Sequence, residues 1–310
     1  MKAIGVRNFG GPEALEIVDL PEPHPGPGQV RIRVRAVAVN PTDTALRAGS
    51  YGSRLGSPSP HVPGMDAAGE IDEVGEDTDW QVGNQVMAIV LPTGPLGGAY
   101  AEQIVVPAAS VARIPAGSDF VRACTLPMNG LTARASLDQL ALTPGQSLAV
   151  TGSAGAYGGY VVQLAKAEGL HVIADASQAD VALVSKLGAD VVVARGDDVA
   201  SHIREQLPTG VDGLADGAVQ DGAVLGAIRD GGGLAVVRGW SGPSERGITI
   251  HGTMVSKYAL NRAALDRLRQ QAEDGTLTLR VARTYPPDQA ADAHRQLEAG
   301  GTRGRIVIEF

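Results

Sequence analysis

The densest group of chemically informative residues is Gly152-Ser153-Ala154-Gly155-Ala156-Tyr157-Gly158-Gly159. It follows a short apolar run, Ser147-Leu148-Ala149-Val150-Thr151, and opens a helical pattern over residues 159–168. A turn this rich in glycine lets backbone N–H groups approach a diphosphate at the positive end of a helix. Gly155 and Gly158 are spaced for close backbone approach and close helix–strand packing. Ser153 stands where a strict G-x-G-x-x-G would have its first glycine. A tight turn without a ligand is the alternative reading, and such turns are common in this chain. The strand–turn–helix context is what a dinucleotide site demands, so Ser153 to Gly158 are candidate cofactor contacts.

The elements that must hold this loop follow from the pattern around it. From about Ser118 the chain alternates helical and strand-like segments, as a parallel sheet with crossover helices requires. Strands are predicted at 171–174 and 191–194, with later candidates at 213–215 and 233–237. A helix over 179–187 carries Val181, Leu183, Val184 and Leu187 near one face. Residues 1 to about 120 read instead as β-rich. There Val30 to Val37 alternates apolar and basic residues, and 69–74 and 85–90 are further strands. Pro21, Pro23, Pro25 and Pro27 impose an extended connection. The final stretch has helices at 262–274 and 287–299 and a strand at 305–310. A β-rich catalytic domain of residues 1–120 and 263–310, interrupted by a nucleotide-binding insertion of 121–262, explains this order better than two tandem domains.

Composition removes several classes. The 310 residues are 44% apolar and 19% charged, the balance of an ordinary soluble globular protein. The high count of 41 glycines, much of it in short clusters between apolar runs, suggests many tight strand-to-helix turns. A net charge of −8 with no basic block argues against a nucleic-acid surface. One cysteine, Cys124, allows neither an internal disulfide nor a multi-cysteine zinc lobe. No apolar run reaches the roughly 18 residues of a membrane span. Met1 to Val6 reads as a strand and not as a signal peptide. A cytoplasmic setting is the simplest reading.

Several ordered motifs together resemble one family. Ser153-Ala154-Gly155-Ala156-Tyr157-Gly158 resembles the A-A-G-G-V-G loop of quinone oxidoreductases, the zinc-free branch of the medium-chain dehydrogenase/reductases. Val39-Asn40-Pro41-Thr42-Asp43 is similar to that family's V-N-P-x-D, and Pro63 to Gly69 to its P-G-x-[DE]-x-x-G. Leu187-Gly188-Ala189-Asp190 and Gly304 to Ile308 fit as well. The resemblance spans essentially the whole chain. It implies an α/β fold, a GroES-like catalytic domain joined to a Rossmann doubly wound parallel sheet that binds NADP. It also implies a homodimer joined at the edge of that sheet. In relatives with catalytic zinc, ligands stand where this chain has Asn40, Met65 and Asn129, and none of these is a good zinc ligand.

The ribose contacts point to NADPH, with NADH possible. The acid that selects NAD falls at Ala176 by alignment; Asp175 comes one residue early and so faces the other side of its strand. Ser177 can donate to a 2′-phosphate. Arg195 stands where the family often offers a phosphate contact, an exposed surface arginine being the alternative. The lysine often found beyond the serine is absent, and Asp180 lies near its place.

A metal-free nicotinamide enzyme suits reduction of a quinone or of an α,β-unsaturated carbonyl, with an acid to protonate the product. Tyr51, in Gly49-Ser50-Tyr51-Gly52, resembles the catalytic tyrosine of enoyl thioester reductases; packing on a proline-rich loop is its alternative role. Asn40 could orient nicotinamide or substrate, or stabilise the turn before Pro41. Asp43 could order a loop. Asn129 and Thr132 could line the nicotinamide pocket or cap a helix. Tyr157 either packs beneath the glycine loop or narrows the pyrophosphate site. Cys124 reads as a small buried residue, and the scattered histidines, His294 among them, as solvated or packing. Two other functions fit: an enoyl reductase or tailoring enzyme acting on a thioester or polyketide-type intermediate, and a catalytically silent NADPH-binding sensor or structural protein.

Overall fold

The computed structural model describes every residue except Ser57 and Ser241. The chain divides into unit 1, comprising Met1–Met128, Ala259–Glu273 and Leu279–Phe310, and unit 2, comprising Asn129–Tyr258 and Asp274–Thr278.

Unit 1 begins with the hairpin partners β1 (Lys2–Val6) and β2 (Leu15–Asp19), then β3 (Gln29–Ala38) and α1 (Pro41–Arg47). The alternation in β3 works as the residue pattern demands: Val30, Ile32, Val34 and Ala36 are buried, while Arg33 is exposed. Helix α1 falls in a stretch read as β-rich. It is too short to show an apolar repeat, and what starts it is local: Asn40 at the N-cap, Pro41 in the first turn, and the Asp43 carboxylate accepting from the Asn40 N–H at 2.8 Å. β4 (Asp66–Val74), β5 (Gln85–Ile89), β6 (Gln103–Pro107), β7 (Val111–Arg113) and α2 (Phe120–Ala123) complete this pass. Helix α2 packs on β3 and β4, which is why unit 1 extends beyond residue 120.

The next elements are α3 (Pro127–Leu140), β8 (Ser147–Thr151), α4 (Ala156–Ala167), β9 (His171–Ala176), α5 (Val181–Lys186) and β10 (Val191–Ala194). They are followed by α6 (Val199–Gln206), β11 (Val211–Asp216), β12 (Ile228–Val236) and β13 (Thr249–Gly252). The six strands form one parallel sheet in the order β10-β9-β8-β11-β12-β13. This is the order of a Rossmann sheet, reversing direction between β8 and β11, where ligands bind in such folds. Every residue of β8 is buried, as a central parallel strand requires. Ile173, Leu214, Val224, Ile228 and Leu234 belong to the apolar core of this unit. Helix α4 starts at Ala156, three residues before its apolar pattern, because Gly155 already serves as the N-cap.

The chain closes with α7 (Arg262–Glu273), β14 (Val281–Tyr285), α8 (Ala290–Ala299) and β15 (Arg305–Glu309). β14 and β15 join the unit 1 sheet, in the order β14-β15-β3-β4-β5-β7 with β6 paired to β3. Residues 274–278 belong to unit 2, where Gln163 Nε2 donates to Thr278 Oγ1 at 3.0 Å and Thr278 N to Gln163 Oε1 at 3.2 Å. Among the described residues no helix is long and apolar enough to cross a membrane.

Candidate active site

In unit 2 the chain leaves β8 through Gly152, at φ +66°, where a Cβ would lie 2.9 Å from the Gly217 carbonyl carbon after β11. A Cβ on Gly158 would stand 2.4 Å from Gly152 O and 2.8 Å from Ser153 Cα. Glycine at 152 lets the loop pass the turn after β11, and glycine at 158 lets the first turn of α4 lie against the loop. The loop thus sits at the strand-order reversal, with the amides of Ala156 to Gly158 in the first turn of a twelve-residue helix. Those amides lack intrahelical acceptors, so the cradle fits a diphosphate.

One candidate proves to be framework. Ser153 is fully buried; its N–H donates to Asp175 Oδ1 at 3.0 Å and its hydroxyl to Val150 O at 2.8 Å. It therefore shapes the loop from below and its side chain does not meet a ligand. Asp175 faces the loop and not the ribose position; burial pushes its carboxyl up, opposed by hydrogen bonds from Ser153 and Gly152 and by the Arg195 charge. The hydroxyl of Ser177, expected to donate to a phosphate, donates instead to the buried Asp180 carboxylate. Arg195 is exposed, and its N–H donates to Ala176 O at 3.0 Å.

Tyr157 lies across the crevice. Its ring is close enough to Gly217 that a Cβ there would be 2.9 Å from Cδ1, and its hydroxyl donates to Ser136 Oγ at 2.8 Å. Ser136 Oγ meets Thr253 Oγ1 at 3.1 Å, and Thr253 donates to Gln139 Oε1 at 2.9 Å. Burial raises the Tyr157 phenol above its ordinary value. Asn129 and Thr132 are third and sixth in α3, so neither is its cap. Their spacing from Ser136 puts all three along one side of the helix, the side that reaches Tyr157.

Unit 1 holds a buried polar framework. Asn40 is fully buried; its Nδ2 donates to Ala38 O at 3.1 Å and Asp66 Oδ2 at 2.9 Å, and its Oδ1 accepts from Arg305 Nη2 at 2.7 Å. With both polar atoms engaged, Asn40 is a structural link and does not present its amide to a ligand. Asp66 also accepts from Arg305 Nη2 at 2.9 Å and from Met128 N at 2.7 Å; burial raises its carboxyl and Arg305 draws it back. The second carboxylate, Asp43, accepts from Asn40 N, from Gly64 N at 3.0 Å and from the Tyr100 hydroxyl at 3.1 Å. Tyr100 Oη in turn faces His294 Nε2 at 3.2 Å, and His294 Nδ1 faces Arg47 Nη1 at 3.4 Å. Arg47 can only donate, so Nδ1 accepts, Nε2 carries the proton, and the chain runs Arg47 to His294 to Tyr100 to Asp43. Burial pushes Asp43 up to about 7, while burial and the Arg47 charge hold His294 down at about 3.

Tyr51 precedes the helical turn Gly52–Arg54 and is half-buried. The Arg54 guanidinium lies 5.4 Å from its ring centroid, and Arg54 Nη2 donates to Ser50 O at 3.0 Å. Among the described residues nothing hydrogen-bonds the Tyr51 hydroxyl, which leaves it available to a ligand. Cys124 is buried, with its thiol raised by burial, and packs as a small residue. Residue reasoning missed Asp66, Tyr100, His294 and Arg305 as a connected set. His294 was expected to be solvated or packing; it is buried and hydrogen-bonded on both nitrogens. The P-G-x-[DE] and Gly304-Arg305 motifs contained Asp66 and Arg305, but nothing local says that they pair.

Residues 26–116 match the alcohol dehydrogenase GroES-like domain family, and residues 187–308 match the zinc-binding dehydrogenase family. A quinone oxidoreductase of Pseudomonas aeruginosa is 30% identical over 335 residues, covering 99% of this chain and 99% of that protein. An NAD-dependent alcohol dehydrogenase superimposes with a TM-score of 0.90 at 30% identity, over 100% of both chains. A mycobacterial protein complexed with NADPH superimposes with a TM-score of 0.86 at 29% identity, again over 100% of both. The zinc implied by the second family name does not fit here. Asn40 has spent its side chain on Asp66 and Arg305, Met65 offers only a thioether, and Asp66 is paired with a guanidinium. Among the described residues no three His, Cys, Asp or Glu side chains gather as a metal site. The chain therefore belongs to the quinone oxidoreductase family of the medium-chain dehydrogenase/reductases, oxidoreductases that join a GroES-like unit to a Rossmann unit.

Proposed function

We propose that the chain is a zinc-independent reductase of quinones or α,β-unsaturated carbonyls that uses NADPH and can accept NADH. The observation that carries this is the glycine loop: a strand end, two glycines packed against backbone, and a helix mouth, all at the reversal of a parallel sheet. The amides of Ala156 to Gly158 would hold the pyrophosphate. Arg195 would meet a 2′-phosphate, and Tyr157 with the Asn129–Thr132 side of α3 would border the nicotinamide half. A bound reduced nicotinamide supplies hydride to an electron-poor carbon. Tyr51 then gives its phenolic proton to the reduced acceptor, which leaves as quinol or saturated carbonyl once the proton is replaced from solvent. Asn40, Asp66 and Arg305 act as positioning residues, locking the start of α1 to β4 and β15. By the same reading the protein is a cytoplasmic homodimer joined at the open edge of β13.

The test is a thermal melt with NADPH and NADH at millimolar concentration, followed by steady-state assays with naphthoquinones, enones and crotonyl-type thioesters. Protection by a reduced nicotinamide and turnover of quinones or enones support the reading. No protection by either nucleotide overturns it, and turnover confined to thioesters replaces it with an enoyl reductase.

A further inference from the structure

The end of β9 is where a Rossmann unit distinguishes a ribose 2′-hydroxyl from a 2′-phosphate. Ala176 is the last strand residue, Ser177 follows it, and Arg195 is tied to Ala176 by its backbone N–H at 3.0 Å. Ser177 is half-buried and Asp180 is 6% exposed. Their hydrogen bond has a direction, because a carboxylate only accepts: the Ser177 hydrogen points to Asp180. The serine therefore shows an incoming ligand its lone pairs and no donor.

That polarity discriminates. A 2′-hydroxyl can donate to Ser177 Oγ. A 2′-phosphate at neutral pH offers only acceptors and nearly two negative charges, and meets lone pairs backed by a buried carboxylate. Asp175, the other buried carboxyl at this strand end, is turned to the glycine loop and leaves the discrimination to Ser177 and Asp180. Against the Ser177–Asp180 pair stands the exposed guanidinium of Arg195. Attraction by Arg195 and rejection by the Ser177–Asp180 pair oppose each other at the same ligand group.

We infer that Asp180 is a cofactor-selectivity residue: by orienting the Ser177 hydroxyl and placing negative charge behind it, Asp180 lowers affinity for NADPH so that NADH binds comparably. The inference rests on the nicotinamide reading and specifies which form that site accepts. It makes Asp180 a positioning residue that acts through Ser177.

Calorimetric titration of the full-length protein with NADPH and with NADH tests it, since the ratio of the two Kd values is a binding readout independent of turnover. Wild type should bind the two within about tenfold of each other, and Asp180→Asn, which keeps an acceptor for Ser177 but removes the charge, should tighten NADPH by about tenfold with NADH nearly unchanged. Ser177→Ala is the second variant, for use if Asp180→Asn does not fold. It removes the acceptor and should weaken NADH several-fold while sparing NADPH. An unchanged Kd ratio in the folded variant, or a wild-type preference for NADPH above about a hundredfold, overturns the inference and leaves the nucleotide site standing. Failure of wild type to bind either nucleotide overturns both.

Discussion

The backbone N–H of Ser153 donates to the buried carboxylate of Asp175 at 3.0 Å, so the end of β9 holds the glycine loop in shape. Asp175 lies in β9 and Ser153 two residues past the end of β8, its parallel neighbour, so the contact forms where the chain leaves the C-terminal end of β8.

Replacing Asp175 by Ala should leave the Ser153 N–H buried without a partner, at a cost of about 1–3 kcal/mol. The loop should loosen, and the Kd for both reduced nicotinamides should rise about tenfold without a change in their ratio. Nucleotide titration checks this; unchanged affinity would remove Asp175 from the loop framework.

Gly158→Ala should be worse. Its Cβ would fall 2.4 Å from Gly152 O, and backbone there cannot retreat without moving the loop. A stability loss of about 2 kcal/mol or more is expected, with loss of nucleotide protection in a thermal melt. A normal melt with full protection would show that the loop tolerates a side chain.

Arg195→Ala should raise the KM for NADPH about tenfold and the KM for NADH less than about twofold, as expected of an exposed guanidinium that meets only the 2′-phosphate. Equal effects on the two cofactors would reject that contact.

Tyr51→Phe should lower kcat by about a hundredfold or more if the phenol delivers a proton, with little effect on cofactor KM. The ring and its stacking on Arg54 survive this change, so a fall confined to acceptor KM would make Tyr51 a binding residue instead.

The Asp43–Tyr100–His294 chain predicts opposing pH effects on stability. Asp43 is raised from 3.8 to about 7, so its contribution is full below pH 3.8 and is lost as pH rises towards 7. His294 is lowered from 6.5 to about 3, so its contribution is full above pH 6.5 and is lost as pH falls towards 3. Between about pH 4 and 6.5 the two slopes cancel in the native protein. Asp43→Asn should therefore gain stability with rising pH there, and His294→Gln should lose it, each at up to about 1.4 kcal/mol per pH unit. Denaturant midpoints across this range give the slopes, and parallel profiles in the two variants would refute the opposition.

What could be read from the chain alone was whatever depends on near neighbours. Strand β8 at Ser147–Thr151 and strand β10 at Val191–Ala194 match the predicted bounds, because a short apolar run beside glycine or a charged turn is a local signal. The glycine loop was legible for the same reason. Helix α1 and strand β13 were not: the first is a seven-residue helix set by its cap, the second a four-residue edge strand whose pairing partner β12 defines it. The site divides along the same line. Tyr51, Tyr157 and Arg195 could be named from their motifs, but whether Ser153 and Asn40 meet a ligand or a buried carboxylate could not. Those partners lie 22 residues away for Ser153 and 265 for the Asn40–Arg305 pair, and His294 is 194 residues from Tyr100. A buried polar atom must find a partner, but residue type and spacing do not say which distant segment supplies it. Only the folded sheets, by bringing those segments to one place, decide between framework and ligand contact.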